Sequence, residues 1–135
     1  MPALPFRAPP PHTALTALAL VGVALAGTGC GPDCYSACDK LYREECNITA
    51  AGQTQNDLLQ DCIDVCQEAL VTPGEVTAGY DPFSPTASSN AITINTDRDA
   101  ALWMDCVDQS SCENIKGDQD GDGVTDGPKM CLPHF

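Results

Sequence analysis

The fold of this chain follows from two matched segments, residues 33–46 (DCYSACDKLYREEC) and residues 55–70 (QNDLLQDCIDVCQEAL). Each segment contains a pair of cysteines separated by three residues. Residues four apart lie on one face of an α-helix, one turn from each other. The spacing therefore predicts two helices, each with two cysteines on one face.

The apolar residues of both segments repeat with helical spacing, which supports this prediction. The expected apolar faces contain, in chain order, Cys34, Ala37, Cys38, Leu41, Tyr42, Leu59, Cys62, Ile63, Cys66 and Leu70. Asp33 is expected to cap the first helix, and Thr54 or Asn56 the second.

The short polar loop 47–53 between the segments predicts an antiparallel αα-hairpin. In an antiparallel pair, residues that face each other have a constant sum of residue numbers. The pairs Cys34–Cys66 and Cys38–Cys62 both sum to 100. We therefore predict these two disulfides. The twin pattern resembles the CX3C helical hairpins of several unrelated small proteins, a likeness of scaffold that does not imply a function.

A four-cysteine metal site is the competing interpretation, because zinc ligands are often two to four residues apart. An oxidising compartment favours disulfides instead. The remaining four cysteines allow three pairings. We favour Cys46–Cys112 with Cys106–Cys131, because Cys46 ends the first helix and could join the hairpin to a third.

The third helix is predicted over 97–108 (DRDAALWMDCVD), with Thr96 and Asp99 as a capping box. Trp103, the single tryptophan, is expected to pack on the hairpin, and Cys112 to lie in a short turn at 110–115. The fold class is thus all-α: a small disulfide-stapled antiparallel hairpin plus a third helix, with a long irregular insertion. The expected parts are a signal peptide (1–29), the hairpin (30–71), a Pro/Ser/Thr-rich loop (72–95), the third-helix region (96–116) and an acidic Asp/Gly loop with a tail (117–135).

Residues 1–29 have the organisation of an export signal. The apolar segment 14–26 is too short to span a membrane. It leads to Gly27-Thr28-Gly29-Cys30, which resembles the cleavage site of bacterial lipoprotein signals, although Gly27 stands where that family usually has Leu. The resemblance implies cleavage before Cys30, whose sulfur would carry a thioether-linked diacylglycerol and whose amino group would usually carry an acyl chain such as palmitate. Acylation would also explain the odd count of nine cysteines. The alternative is an ordinary secretory signal, with Cys30 as one more disulfide partner.

The whole chain resembles small Cys-rich predicted lipoproteins of myxobacteria. The likeness rests on the leader, Cys30 and residues 33–42 (DCYSACDKLY). It implies a lipid-anchored protein of the bacterial cell envelope. Gly31 replaces the Asp that marks inner-membrane retention in enteric bacteria, which favours the outer membrane.

The charge narrows the choice of partners. The chain has a net charge of −13, and all 19 acidic residues but only five of six basic ones follow residue 30. Such an acidic domain is not expected to bind nucleic acid or to dock electrostatically on anionic lipid. The expected contacts are a membrane, through the lipid anchor, and an unknown protein or other envelope partner.

The sharpest local motif is the acidic loop at 118–126 (DQDGDGVTD). Its spacing resembles EF-hand and thrombospondin type 3 calcium loops, which wrap a cation in oxygen ligands around a glycine turn. The expected calcium ligands are Asp118, Asp120, Asp122, the carbonyl of Val124 and Asp126. Lys129 stands where those families place their last carboxylate, so we expect weak binding at most. The alternative is a polar, flexible turn.

The chain offers little for catalysis. Its only histidine after the leader is His134, near the last residue, where a held imidazole is not expected. There is no Cys-x-x-Cys redox motif. We expect a non-enzymatic binding or adhesion module, with 72–95 as a recognition loop or as surface padding. The alternatives are a structural or accessory envelope protein and a calcium-responsive protein.

Overall fold

The computed structural model describes residues 31–87, 92–118 and 120–135, so the leader and Cys30 lie outside the described residues. The elements are α1 (Cys34–Asp39), a π-helical turn that continues it (Lys40–Glu44), α2 (Gln55–Leu70), α3 (Asp97–Gln109) and α4 (Cys112–Lys116). The described residues form no β-strand, only one isolated antiparallel bridge between Thr86 and Lys129. The predicted all-α fold class is confirmed.

Helices α1 and α2 form an antiparallel hairpin joined by two disulfides. Cys34 bonds to Cys66 and Cys38 to Cys62, with Cα–Cα distances of 5.8 and 5.9 Å. These are the two pairs that the constant index sum predicted. All four cysteines are buried in the core.

Two further disulfides attach the C-terminal half of the chain to the hairpin. Cys46 bonds to Cys112, at the start of α4, and Cys106 in α3 bonds to Cys131. This is the pairing favoured from the sequence. The eight cysteines that follow Cys30 therefore form four disulfides among themselves.

Both hairpin helices begin with a reciprocal cap. The Asp33 carboxylate accepts the Ser36 N–H at 2.7 Å, and the Ser36 hydroxyl accepts the Asp33 N–H at 3.0 Å. At α2 the Thr54 hydroxyl accepts the Asp57 N–H, and the Asp57 carboxylate accepts the Thr54 N–H. Thr54, and not Asn56, is thus the cap of α2. Such caps satisfy N–H groups that have no partner within the helix.

The first helix differs from the expected continuous α-helix. After Asp39 the backbone widens into the π-helical turn, and the Cys46 N–H donates to the Lys40 carbonyl at 2.9 Å. Leu41 and Tyr42, which lie in this turn, are both fully buried.

The buried face of α2 is shifted from the predicted one. Leu58 and Ala69 join the core, whereas Leu70, expected inside, is 40% exposed and Ile63 is only partly buried. Helix α3 also packs against α2, which widens the buried face on that side. Helix α1 begins at Cys34, which is bonded to Cys66. Leu70 lies one helical turn beyond Cys66, so no residue of α1 faces it.

The C-terminal segment is part of the core. The Trp103 indole N–H donates to the carbonyls of Cys131 and Pro133 at 3.0 and 3.2 Å, and the ring meets Phe135 edge-on at 5.9 Å. The Tyr42 hydroxyl donates to the Phe135 carbonyl at 2.7 Å. The expectation that His134 lies in a frayed end is therefore wrong, because the aromatic rings of the hairpin and α3 provide a surface for residues 131–135.

Candidate functional site

The acidic loop is closed at its base by the backbone. The Gly127 N–H donates to the Gly117 carbonyl at 2.8 Å. Gly117 has φ +77°, and a Cβ there would lie 2.5 Å from the Gly127 carbonyl oxygen. Only glycine fits this close approach. Residues 117–127 therefore form a closed loop at the end of α4.

Within this loop, Asp118 organises the turn. Its side chain is 5% exposed, and its two oxygens accept the N–H groups of Gly121 and Gly123 at 3.0 and 2.9 Å. The Asp122 carboxylate accepts the Val124 N–H at 2.8 Å. These bonds use only some of the lone pairs of each carboxylate. The carboxylates are thus held in place and can still accept a further ligand.

Three carboxylates converge in the loop. Oxygens of Asp118, Asp120 and Asp122 all lie within 4.8 Å of one another, a group that could hold a metal ion. Asp126, a fourth predicted ligand, is not in this group, and a role for the Val124 carbonyl stays a prediction. The chemistry of the group fits a hard cation, since all three donors are carboxylate oxygens.

Lys129, at the last position of the calcium-loop pattern, makes backbone hydrogen bonds to the insertion. The backbone N–H and carbonyl of Lys129 pair with Thr86 at 2.8 and 2.9 Å. The backbone of Lys129 is therefore paired with the insertion, and its side chain does not supply the carboxylate that calcium loops have at this position.

The insertion 72–95 is hydrogen-bonded to α3 and to the C-terminal segment, which its composition did not predict. The Asp97 N–H donates to the Thr72 carbonyl at 2.9 Å, and the Cys131 N–H donates to the Pro82 carbonyl at 2.7 Å. The Tyr80 hydroxyl donates to the Leu132 carbonyl at 3.1 Å, and burial raises the pKa of Tyr80. The insertion is thus fixed to α3 and to the C-terminal segment.

Asp99, which is fully buried, makes further hydrogen bonds to the insertion. It accepts the Thr77 N–H at 2.8 Å, the Thr77 hydroxyl at 2.6 Å and the Asn95 N–H at 3.2 Å. Burial alone raises the pKa of Asp99, but these hydrogen bonds outweigh it and lower the pKa below its ordinary value. The expected capping box is consequently only half formed: Thr96 caps the helix, but the Asp99 carboxylate is bonded to the insertion instead.

The pinned insertion forms a groove of about 330 Å³. Its lining combines aromatic, aliphatic and polar side chains: Tyr80, Asp81, Pro82, Thr86, Ile92 and Leu132 among others. A concave surface with convergent apolar and polar groups is the usual form of a binding site. This groove is the candidate contact surface of the domain.

His134 lines a second cavity, of about 220 Å³, near the acidic loop. Lys116, Lys129 and Thr125 line it as well. The imidazole Nε2 lies 3.1 Å from the Met130 carbonyl, and burial, together with the charge of Lys129, lowers the pKa of His134 to about 4. His134 is therefore a held, neutral imidazole at pH 7.

Comparison with known proteins found no match: no family model, no curated protein and no solved structure is similar to this chain.

The low pKa of His134 predicts a pH dependence of stability. The unfolded chain takes up a proton near pH 6.5, whereas the folded chain resists protonation until about pH 4. The free energy of unfolding should therefore fall as the pH drops from about 6.5 to 4, by at most about 3 kcal/mol. Guanidinium unfolding with the disulfides intact measures it.

The matched control is His134→Gln, which keeps a neutral hydrogen-bonding side chain. Asp99 and the other carboxylates with lowered pKa lose their stabilisation mainly below pH 4, in both proteins. The difference in the free energy of unfolding between the parent protein and His134→Gln should hence shrink as the pH drops from 6.5 to 4. A constant difference would contradict the assignment to His134.

Proposed function

We propose that this chain is a non-enzymatic lipoprotein of the bacterial cell envelope, anchored through acylated Cys30, whose domain acts as a binding module. One observation carries the anchoring: the eight cysteines after Cys30 are bonded in four pairs, so none of them is left to pair with Cys30. The alternative of Cys30 as a further disulfide partner within the domain loses its support. Cys30 follows directly on the apolar leader segment and the small residues Gly27–Gly29.

The outer membrane is the proposed site, because Gly31 follows the anchor. Among the described residues, no helix has the length and apolar character needed to cross a bilayer. Acyl chains supply the attachment in this proposal, since two or three together hold a domain at a bilayer stably.

The binding role is supported by the groove of the insertion. A protein that served only as a spacer would not need an insertion whose described residues are held by a buried carboxylate and by several backbone hydrogen bonds. Ordering a loop is entropically costly, and a pre-formed surface binds a partner without a second ordering cost. The structural or accessory envelope protein remains the alternative.

The intact mass of the protein purified from membranes tests the anchor. We expect a mature chain that begins at Cys30 with its acyl groups, no thiol that reacts before reduction, and eight that react after it. A Cys30→Ala variant should retain the uncleaved leader and lack the acyl mass. Nine reactive thiols after reduction would contradict acylation.

Site-specific photocrosslinking in intact envelopes tests the binding role. A photoreactive residue at Ser84, which lines the groove, should give one discrete crosslinked species. The same residue at the exposed Glu44 in the π-helical turn is the control and should not give that species. No product at Ser84, or the same products at both sites, would favour the spacer.

We further propose that the acidic loop binds calcium weakly, which the convergence of Asp118, Asp120 and Asp122 supports. Three carboxylates supply fewer oxygens than the six to eight that calcium takes, so water would complete the shell. The expected Kd is therefore about 10⁻⁴ to 10⁻³ M, the range of extracellular modules.

Titration calorimetry at millimolar calcium tests this second proposal. Asp120 is exposed, so Asp120→Ala should abolish the heat of binding and leave the fold intact. The exposed Asp105 in α3 lies outside the loop, and Asp105→Ala should bind like the parent protein. Absence of heat in the parent protein would refute the calcium site.

A further inference from the structure

The described domain exposes several large apolar side chains, and three of them lie at one end of the hairpin. Tyr35 is 57% exposed, Leu70 is 40% exposed and Val71 is 78% exposed. Tyr35 is the second residue of α1, Leu70 is the last residue of α2, and Val71 follows it. We call this end, defined by these three residues, the proximal end.

The hairpin disulfide places these residues close together. Cys34 and Cys66 are bonded with their Cα atoms 5.8 Å apart. Tyr35 follows Cys34 directly, and Leu70 lies one helical turn beyond Cys66. Because the helices are antiparallel, the end of α2 lies beside the start of α1.

The proximal end is also where the chain arrives from Cys30. Four residue steps separate Cys30 from Cys34, and a fully extended chain covers at most about 14 Å over that distance. A lipid at Cys30 thus brings the proximal end within reach of the bilayer surface. The opposite end of the hairpin, at Asn47–Thr49, is about 24 Å away, the length of the 16 residues of α2.

We propose that the proximal end is a membrane-contacting surface, with Tyr35, Leu70 and Val71 in the interfacial layer of a zwitterionic bilayer. The inference rests on the proposed acylation of Cys30. An aromatic ring with a polar tip and two aliphatic side chains suit that layer. The domain then stands upright on the membrane and presents its other end to the surroundings.

The charges at the proximal end set the depth and the lipid preference. Asp33 and Glu68 are exposed there, and Glu75 nearby is paired with Arg98. Unpaired carboxylates resist entry into hydrocarbon and are repelled by anionic headgroups. The contact is therefore shallow and is weakened by anionic lipid.

The acidic loop supplies a matched control surface. Val124 is 54% exposed, and its neighbour Thr125 lines a cavity together with Asn47 and Thr49 from the hairpin turn. The loop thus lies at the opposite end from Tyr35. A reporter at Val124 faces solvent if the domain stands as proposed.

Tryptophan quenching in vesicles tests the orientation. Mature protein purified from membranes is reconstituted into phosphatidylcholine vesicles whose acyl chains carry bromine near the headgroup. Trp103 is fully buried and gives a constant background. Val71→Trp should lose about half or more of its added fluorescence, as expected for a side chain buried 5–10 Å into the interface. Val124→Trp should lose none. Replacing part of the lipid by phosphatidylglycerol should reduce the quenching at position 71.

Tyr35→Trp, which keeps an aromatic ring at an exposed site, repeats the measurement should Val71→Trp fold poorly. Vesicle flotation of the same samples separates the two proposals. Protein that does not float refutes the anchor, and the membrane-contacting surface with it. Protein that floats but is quenched equally at both ends, or is unquenched at positions 71 and 35, refutes the surface alone.

Discussion

Two parallel disulfide rungs, Cys34–Cys66 and Cys38–Cys62, hold together the hairpin to which α3, α4 and the C-terminal segment are attached. Aromatic residues make up only 5% of the chain, although Trp103 and Tyr42 are fully buried in the core. Each rung closes a loop of 24 or 32 residues, which stabilises the fold by roughly 3–4 kcal/mol in the chain-entropy view. Helix α3 packs on the paired helices, and the C-terminal segment covers Trp103.

Local patterns in the sequence predicted the hairpin because both of its determinants are local. Spacing of four residues identifies a helix face, and the short loop makes the two faces antiparallel, so the index sum identifies the partners. The predictions for Leu70 and for a continuous first helix were wrong for a different reason. Both depend on where neighbouring elements end and how tightly they pack, which the spacing within one segment does not contain.

The candidate sites show the same contrast between features set by a local pattern and features set by contacts between distant segments. The convergence of Asp118, Asp120 and Asp122 follows from a short motif whose glycines permit the turn. The bond of Asp99 to Thr77 joins residues 22 apart, across an insertion whose Pro, Gly, Ser and Thr content indicates only irregular structure. The burial of His134 likewise depends on a surface made by distant aromatic residues. A ligand set within one loop is visible in the sequence, whereas a contact between distant segments is visible only in the folded structure.

The order of the disulfides along the chain has a consequence for maturation. None of the four bonds joins cysteines that are neighbours in sequence order: three other cysteines lie between Cys34 and Cys66, and three lie between Cys46 and Cys112. An oxidase that joins thiols as they emerge would first produce neighbouring pairs, none of which is native. The chain must then exchange those bonds through mixed disulfides before the hairpin can close. Production of the native protein should thus depend on a disulfide isomerase or a reshuffling thiol buffer, and not on oxidising power alone.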